Sequence, residues 1–264
     1  MRKSVRLGSE IDKQYDCYTV SRQEPPRSAR PVAPIDFSRF DALTFDTYGT
    51  LIDWERGILN AFQLVLSRHD VAPTEDELLE VFAKHEAQIE RGVYRTYREV
   101  LAASARGVCA DLGVDPSDSS IAEFSDSVGD WPAFPDSAAA LRGLKSRFRL
   151  GVLTNCDDDL FAGSNRRLGV DFDWIVTAQQ AHGYKPRLEN FDALFAKVDV
   201  PRERILHVAQ SLFHDHVPAK ALGMTTVWID RRHDKPGFGA TPPANATPDL
   251  VCPDMRTFAD AALG

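Results

Sequence analysis

The 264-residue sequence has only four cysteines, Cys17, Cys109, Cys156 and Cys252, and no two of them form a CxxC pair. That spacing argues against a zinc ribbon or a dithiol redox site, and scattered thiols suit a reducing compartment. Glycine and proline number 16 each, too few for a collagen-like or low-complexity chain. No apolar run approaches the roughly 20 residues that span a bilayer. The polar stretch from Met1 to Arg30 has no apolar segment of signal-peptide type. The expected location is therefore the cytoplasm. Positive charge is also scarce, with 31 Lys and Arg against 39 Asp and Glu and a formal net charge of −8. Nucleic acid and acidic membranes require clustered cations. Neither is expected as a partner, which leaves a small-molecule substrate.

What is present is apolar material, 43% of the chain, enough for a substantial core. Residues 1–35 hold seven Lys or Arg against four Asp or Glu, so they carry +3 and the remainder −11. The stretch from Gln23 to Pro34 has four prolines and no periodicity. An N-terminal extension over residues 1–37 is read as an extended or disordered arm.

Short apolar runs follow: Ala42–Phe45, Leu150–Leu153, Trp174–Val176, Ile205–Ala209 and Thr226–Ile229. They read as buried strands. Helical patterns separate them over Ser137–Arg147, Asp159–Leu168, Leu188–Lys197 and His216–Leu222. Strand alternating with helix predicts an α/β fold with a parallel sheet and right-handed crossovers. One segment breaks the alternation. From Glu55 to about Asp130 apolar stripes recur at helical spacing (Ile58, Phe62, Val65 and Leu66; Leu78, Leu79, Phe82 and Ile89; Val100, Leu101 and Leu112). Four helices are expected there as a cap over 55–131, inserted after the first strand of a core made of 38–54 and 132–264. Pro132 and Pro135 mark the return as a hinge, with Trp54, Trp131 and Phe134 as hinge packing or as substrate contacts. The stretch from Pro236 to Pro248 reads as a surface loop.

In an open parallel sheet, ligands bind outside the carboxyl ends of the strands. Asp46 with Thr50, Thr154 with Asn155, Lys185, and the segment from Gln210 to His216 should meet there. Asp157, Asp158 and Asp159 read as a solvated helix N-terminus. His214 and His216 flank Asp215, but alternate residues at a helix start diverge, which argues against a zinc site.

The runs FDTYGTL, LTN, YKP and HVAQSLFHD resemble, in this order, the four motifs of the haloacid dehalogenase superfamily. The resemblance covers about residues 40–232. It implies a Rossmann-like parallel sheet core with an inserted four-helix cap, and Asp46 as covalent nucleophile. Phosphatases of the superfamily carry a second Asp two positions on, where this chain has Tyr48. They also carry Gly-Asp where this chain has Ala209-Gln210. Both differences resemble the metal-free L-2-haloacid dehalogenases, so no cofactor is expected.

The resemblance implies hydrolysis of a short L-2-haloacid to a 2-hydroxy acid through an aspartyl ester. Lys185 would keep Asp46 ionised, and Thr50 with the backbone of Thr47 and Tyr48 would orient it. Thr154 would take the substrate carboxylate and Asn155 the halide. Asp215 would position Lys185 or the hydrolytic water. The family's cap Arg falls nearest His85, beside Lys84 and ahead of Arg91. Phe191 stands where the family has Tyr, and Leu212 where it has Asn. A Mg²⁺-dependent phosphatase, hydrolysis of an epoxide or ester, and a non-catalytic relative that binds a metabolite remain as alternatives. A homodimer is compatible with the chain.

Overall fold

The computed structural model describes residues 35–264 apart from 236 and 238. Most of the expected N-terminal arm lies outside these residues. Its last part packs onto the core, with the Phe37 ring 6.2 Å from that of Phe258.

The chain starts with strand β1 (Ala42–Phe45) and passes through four helices, α1 (Trp54–Leu66), α2 (Glu75–Glu90), α3 (Tyr97–Asp111) and α4 (Asp118–Asp126). It continues through α5 (Ser137–Lys145), β2 (Arg149–Thr154), α6 (Asp158–Leu168), β3 (Trp174–Thr177), a short α7 (Ala178–Ala181) and α8 (Leu188–Lys197). The last part is β4 (Ile205–Ala209), a π-helical turn (Leu212–His216), α9 (Val217–Ala221), β5 (Thr225–Ile229), β6 (Leu250–Cys252) and α10 (Met255–Leu263). All described strand pairs are parallel, in the order β3-β2-β1-β4-β5-β6. Successive strands step outward from β1 in one direction and then, from β4, in the other. The crevice at that reversal opens beside the ends of β1 and β4, which places Asp46 and Gln210 at its floor.

Both faces of the sheet are covered, which explains why its strands read as continuous apolar runs. One hydrophobic cluster joins Leu43, Phe45, Leu150 and Leu206 to the cap residues Ile58, Phe62, Phe82 and Phe124. Another packs Phe191 and Leu194 against Leu153 and Trp174 on the opposite face. Three elements escaped the sequence reading: the short α7, β6, a three-residue edge strand, and α10. The first two are too short for a period to register.

In the cap, α2 and α3 both begin with capping boxes, Thr74 with Glu77 and Thr96 with Glu99, which close the free N–H groups of their first turns. The two linkers pair with each other: the Asp53 amide donates to Pro132 O at 2.8 Å and the Phe134 amide to Leu51 O at 3.0 Å. Trp131 fills the space over Gly57, where a Cβ would lie 2.3 Å from its ring. Core residues also hold the cap. Asp157 is buried, not solvated as expected, and its carboxylate accepts from the amides of Tyr97 and Arg98 at 2.9 and 3.0 Å. It thus caps α3 from the core side, where a carboxylate also favours the positive end of the helix. Asp159 binds Arg98 at 2.9 Å. No helix among the described residues is long and apolar enough to cross a membrane.

Candidate active site

Asp46 follows the last residue of β1, and its amide donates to Val208 O on β4 at 3.1 Å. Thr50, on the turn that follows, donates its hydroxyl to Asp46 Oδ2 at 2.7 Å and accepts from the Gln210 amide at 2.8 Å. That turn is possible because Gly49 has φ +90°, a conformation open mainly to glycine. Lys185 is fully enclosed, and its ammonium donates to Asp46 Oδ1 at 2.9 Å, Asp215 Oδ1 at 2.8 Å and Leu153 O at 2.9 Å. An ammonium has three donors, so all of them are used. Asp215 Oδ1 also meets His207 Nε2 at 3.0 Å, and the other nitrogen of that ring meets Thr44 Oγ1 at 2.9 Å. Phe191 lies against the His207 ring, with centroids 5.5 Å apart.

Two carboxylates thus share one ammonium. Burial works against the Lys185 charge, yet Asp215 and Asp46 outweigh it and leave the ammonium above its ordinary pKa. Burial would raise Asp215, but Lys185 and His207 hold it well below the usual carboxylate range. For Asp46 burial wins. Lys185 lowers its pKa, but burial and the neighbouring Asp215 charge leave it raised. Lys185 thus acts on Asp46 in the expected direction, and burial with Asp215 offsets it.

The other expected residues divide. Tyr48 lines the cleft, with its hydroxyl 3.0 Å from Ser164 Oγ. Thr47 is buried, and its carbonyl accepts from Thr50, Leu51 and Ile52. Asn155 also lines the cleft, but its amide is spent on the backbone of Lys185. Oδ1 accepts from Lys185 N at 2.8 Å and Nδ2 donates to Lys185 O at 3.1 Å. Its place is to clamp the Lys185 loop, which leaves less of it for a halide. Thr154 is buried at the end of β2, with a hydroxyl that has no partner and lies outside the cleft lining. His85 is not brought to the site. It packs over Gly107 of α3 and meets Asp111 Oδ2 at 2.9 Å, because position 85 falls on the side of α2 that faces α3.

A family model described as haloacid dehalogenase-like hydrolase matches residues 40–221. The chain belongs to the haloacid dehalogenase-like hydrolases. Curated relatives include haloacetate dehalogenase H-2 of Moraxella sp. (strain B), 26% identical over 227 residues that cover 82% of this chain and 95% of that protein. They also include an (S)-2-haloacid dehalogenase of Pseudomonas putida, 23% identical over 72% of this chain and 85% of that one. Among solved structures, the L-2-haloacid dehalogenase from Xanthobacter autotrophicus with chloropropionic acid covalently bound superposes with a TM-score of 0.71. It is 18% identical and covers 85% of this chain and 99% of its own.

Within this haloacid dehalogenase-like frame, the donor set does not fit Mg²⁺. Mg²⁺ prefers anionic oxygens, and the phosphatase positions hold Tyr48 and Gln210. The Tyr48 hydroxyl is bound to Ser164, and Gln210 Oε1 accepts from Thr241 Oγ1 at 3.2 Å. Asp46 and Asp215 each commit an oxygen to Lys185. His214 and His216 do not converge. His214 meets Ser211 Oγ at 3.0 Å and His216 meets Ala209 O at 3.0 Å. Burial pushes both imidazoles down to about 4, so they are neutral at pH 7.

The sequence reading missed the wall opposite Asp46. It is built from α2 and α3 by Glu86, Glu90 and Tyr97, with Trp54 at the hinge. Trp54, read as hinge packing or as a substrate contact, stands in the cleft lining. The reading of 236–248 as a surface loop is incomplete, because Thr241 is buried and lines the cleft. One signal was available: the buried face of α2 runs Leu79, Phe82, Ala83, Glu86 and Glu90, which places two carboxyls at the end of an apolar stripe. Burial raises Glu86 to about 8, and burial with the neighbouring Glu86 charge raises Glu90 well above the ordinary range.

Proposed function

We propose that this hydrolase cleaves a carbon–halide bond through a covalent ester on Asp46. An Asp46 oxygen bonds to the carbon as the carbon–halogen bond breaks, and the halide leaves with the bonding pair. Water then adds to the ester carbonyl of Asp46. The product departs as an alcohol, one water oxygen stays on Asp46, and one proton passes to solvent. Lys185 and Thr50 hold the two carboxylate oxygens and stabilise the charge that returns to Asp46 when the ester breaks. Asp215 fixes Lys185. Its Oδ2, buried and without a partner, is available to a hydrolytic water. A short L-2-haloacid is the reference substrate, since the relatives are named for (S)-2-haloacids and haloacetate.

The observation that carries this reading is the placement of Asp46 in a capped cleft, fixed by Lys185 and Thr50, with Tyr48 and Gln210 in the two positions where a phosphatase has further carboxylates. A cytoplasmic location suits the buried free thiols of Cys109, Cys156 and Cys252 among the described residues. The test is halide release from L-2-chloropropionate in the presence of EDTA, with mass spectrometry of the Asp46 peptide after rapid quenching. Release together with an added propionate on Asp46 supports the reading. Strict Mg²⁺ dependence on phosphate esters instead would replace it with the phosphatase. A physiological role that survives Asp46→Asn would indicate a non-catalytic relative.

A further inference from the structure

Asp215 accepts two hydrogen bonds, and both fall on the same oxygen. Lys185 Nζ reaches Oδ1 at 2.8 Å and His207 Nε2 reaches it at 3.0 Å. Oδ2 is buried and has no partner. Lys185 belongs to the floor chemistry, because it also holds Asp46. His207 does not. It lies on β4 beneath the floor, fully enclosed and outside the cleft lining. A buried imidazole with both nitrogens engaged is a feature that the reaction, as described so far, does not use.

The direction of these bonds follows from their partners. Asp215 is paired with the Lys185 ammonium, and a carboxylate has no proton to give. Nε2 of His207 therefore carries the proton and donates it. At the other side of the ring, Nδ1 lies 2.9 Å from Thr44 Oγ1, and that hydroxyl has no other hydrogen bond among the described residues. Thr44 donates to Nδ1, which completes one directed chain from Thr44 through His207 to Asp215. Thr44 and His207 are register partners across β1 and β4, so two strands of the sheet fix both ends of that chain. Phe191 packs edge-on against the ring at 69°. With Lys185 as sole donor, the Asp215 carboxylate could turn about its Cβ–Cγ bond. Two donors that converge on Oδ1 from different elements set its plane and leave Oδ2 as the open acceptor.

We propose that His207 is a positioning residue that acts through Asp215 on the second half of the reaction, hydrolysis of the ester on Asp46. The proposal rests on the covalent reading of Asp46 above. With Oδ1 held, Asp215 Oδ2 accepts a hydrogen bond from the hydrolytic water and orients it. The water oxygen bonds to the ester carbon of Asp46. One water proton passes by way of Oδ2 to the alkoxide as the ester C–O bond breaks, and the other leaves the restored carboxyl for solvent. Ester formation moves no proton and draws on Asp46 with Lys185 and Thr50. Loss of the imidazole leaves all three acceptors of Lys185 in place, so that first step does not depend on His207.

The test compares wild type, His207→Phe and His207→Gln in rapid-quench turnover of L-2-chloropropionate, with halide and esterified Asp46 peptide measured in the same samples. Phe keeps a ring but neither hydrogen bond, whereas Gln restores an amide N–H donor. In His207→Phe, first-turnover halide release should stay within about threefold of wild type while ester hydrolysis slows by about tenfold or more. The ester then accumulates and halide appears as a burst. His207→Gln should recover most of the hydrolysis rate. Equal slowing of both steps in folded His207→Phe, or hydrolysis that is unchanged, overturns the proposal. So does a His207→Gln variant that is no faster than His207→Phe. One readout needs no variant to fold: ¹⁵N spectra of the wild-type protein should show a proton on His207 Nε2, and an unprotonated Nε2 overturns the proposal. Wild-type protein that releases no halide, or whose product takes its new oxygen from ¹⁸O-labelled water in a single turnover, removes the Asp46 reading, and with it the step that His207 would serve.

Discussion

The floor and the wall of the cleft are both buried and both acidic, yet they are built on opposite terms. On the floor, Asp46 and Asp215 share Lys185, and each donor of that ammonium has an acceptor. In the wall, Glu86 has one neutral donor and Glu90 has no hydrogen bond among the described residues. The floor is a finished ion cluster that holds a nucleophile in place. The wall is a pair of acids whose burial opposes their ionisation. A paired buried charge is costly to break, whereas an unpaired one shifts its pKa or waits for a partner.

Substitutions at the floor should have the largest effects. Asp46→Asn replaces the attacking carboxylate by a neutral amide, and halide release should fall by about 10³-fold or more, with circular dichroism unchanged. Lys185→Met leaves two buried carboxylates without their cation. It should destabilise the fold by about 3–5 kcal/mol at pH 7, read by urea denaturation, and the deficit should shrink at low pH as the acids take up protons.

The wall should respond in the opposite sense. Glu86 keeps its proton up to about 8 in the folded protein, whereas in the unfolded chain it ionises near 4.5. The folded state therefore loses stability as pH rises between those values. Glu86→Gln, which retains an acceptor for Tyr97, should be more stable than wild type at pH 7 by up to about 3 kcal/mol and no more stable at pH 4. A parallel urea series at the two pH values checks this. An equal effect at both would mean that the wall, like the floor, is already charge-paired.

A smaller effect should come from the joint between the two regions. Asp157→Ala frees the first amides of α3 and should cost about 1 kcal/mol and raise KM more than it lowers kcat, because the cap is held less firmly. Least in magnitude is the acid limb of the kcat/KM profile. Attack requires ionised Asp46, whose pKa is raised, so activity should rise with pH through a midpoint above the ordinary carboxylate range.

The core was legible because its signals are local. Ala42–Phe45 and Ile205–Ala209 are apolar runs that stop at polar turns, and burial on both faces makes such runs continuous. Asp46, Lys185 and Asp215 could be placed because strand ends in a parallel sheet converge. Asp157 could not be read as the cap of α3, since the amides it serves lie 60 residues earlier in the chain and the sequence shows only a run of acids. His85 faces α3 and not the cleft. A single step on a helix turns a side chain by about 100°, and the neighbouring Glu86 faces the cleft in its stead. Thr241 reached the site from a segment without periodicity, where pattern carries no information.

The central claim, that Asp46 supplies the oxygen of the product, is tested most directly by a single-turnover reaction in ¹⁸O-labelled water with enzyme in excess over substrate. The account predicts unlabelled oxygen in the new hydroxyl and one ¹⁸O in the peptide that contains Asp46. Label in the product and none in the protein would mean that water attacks carbon directly, and would contradict it.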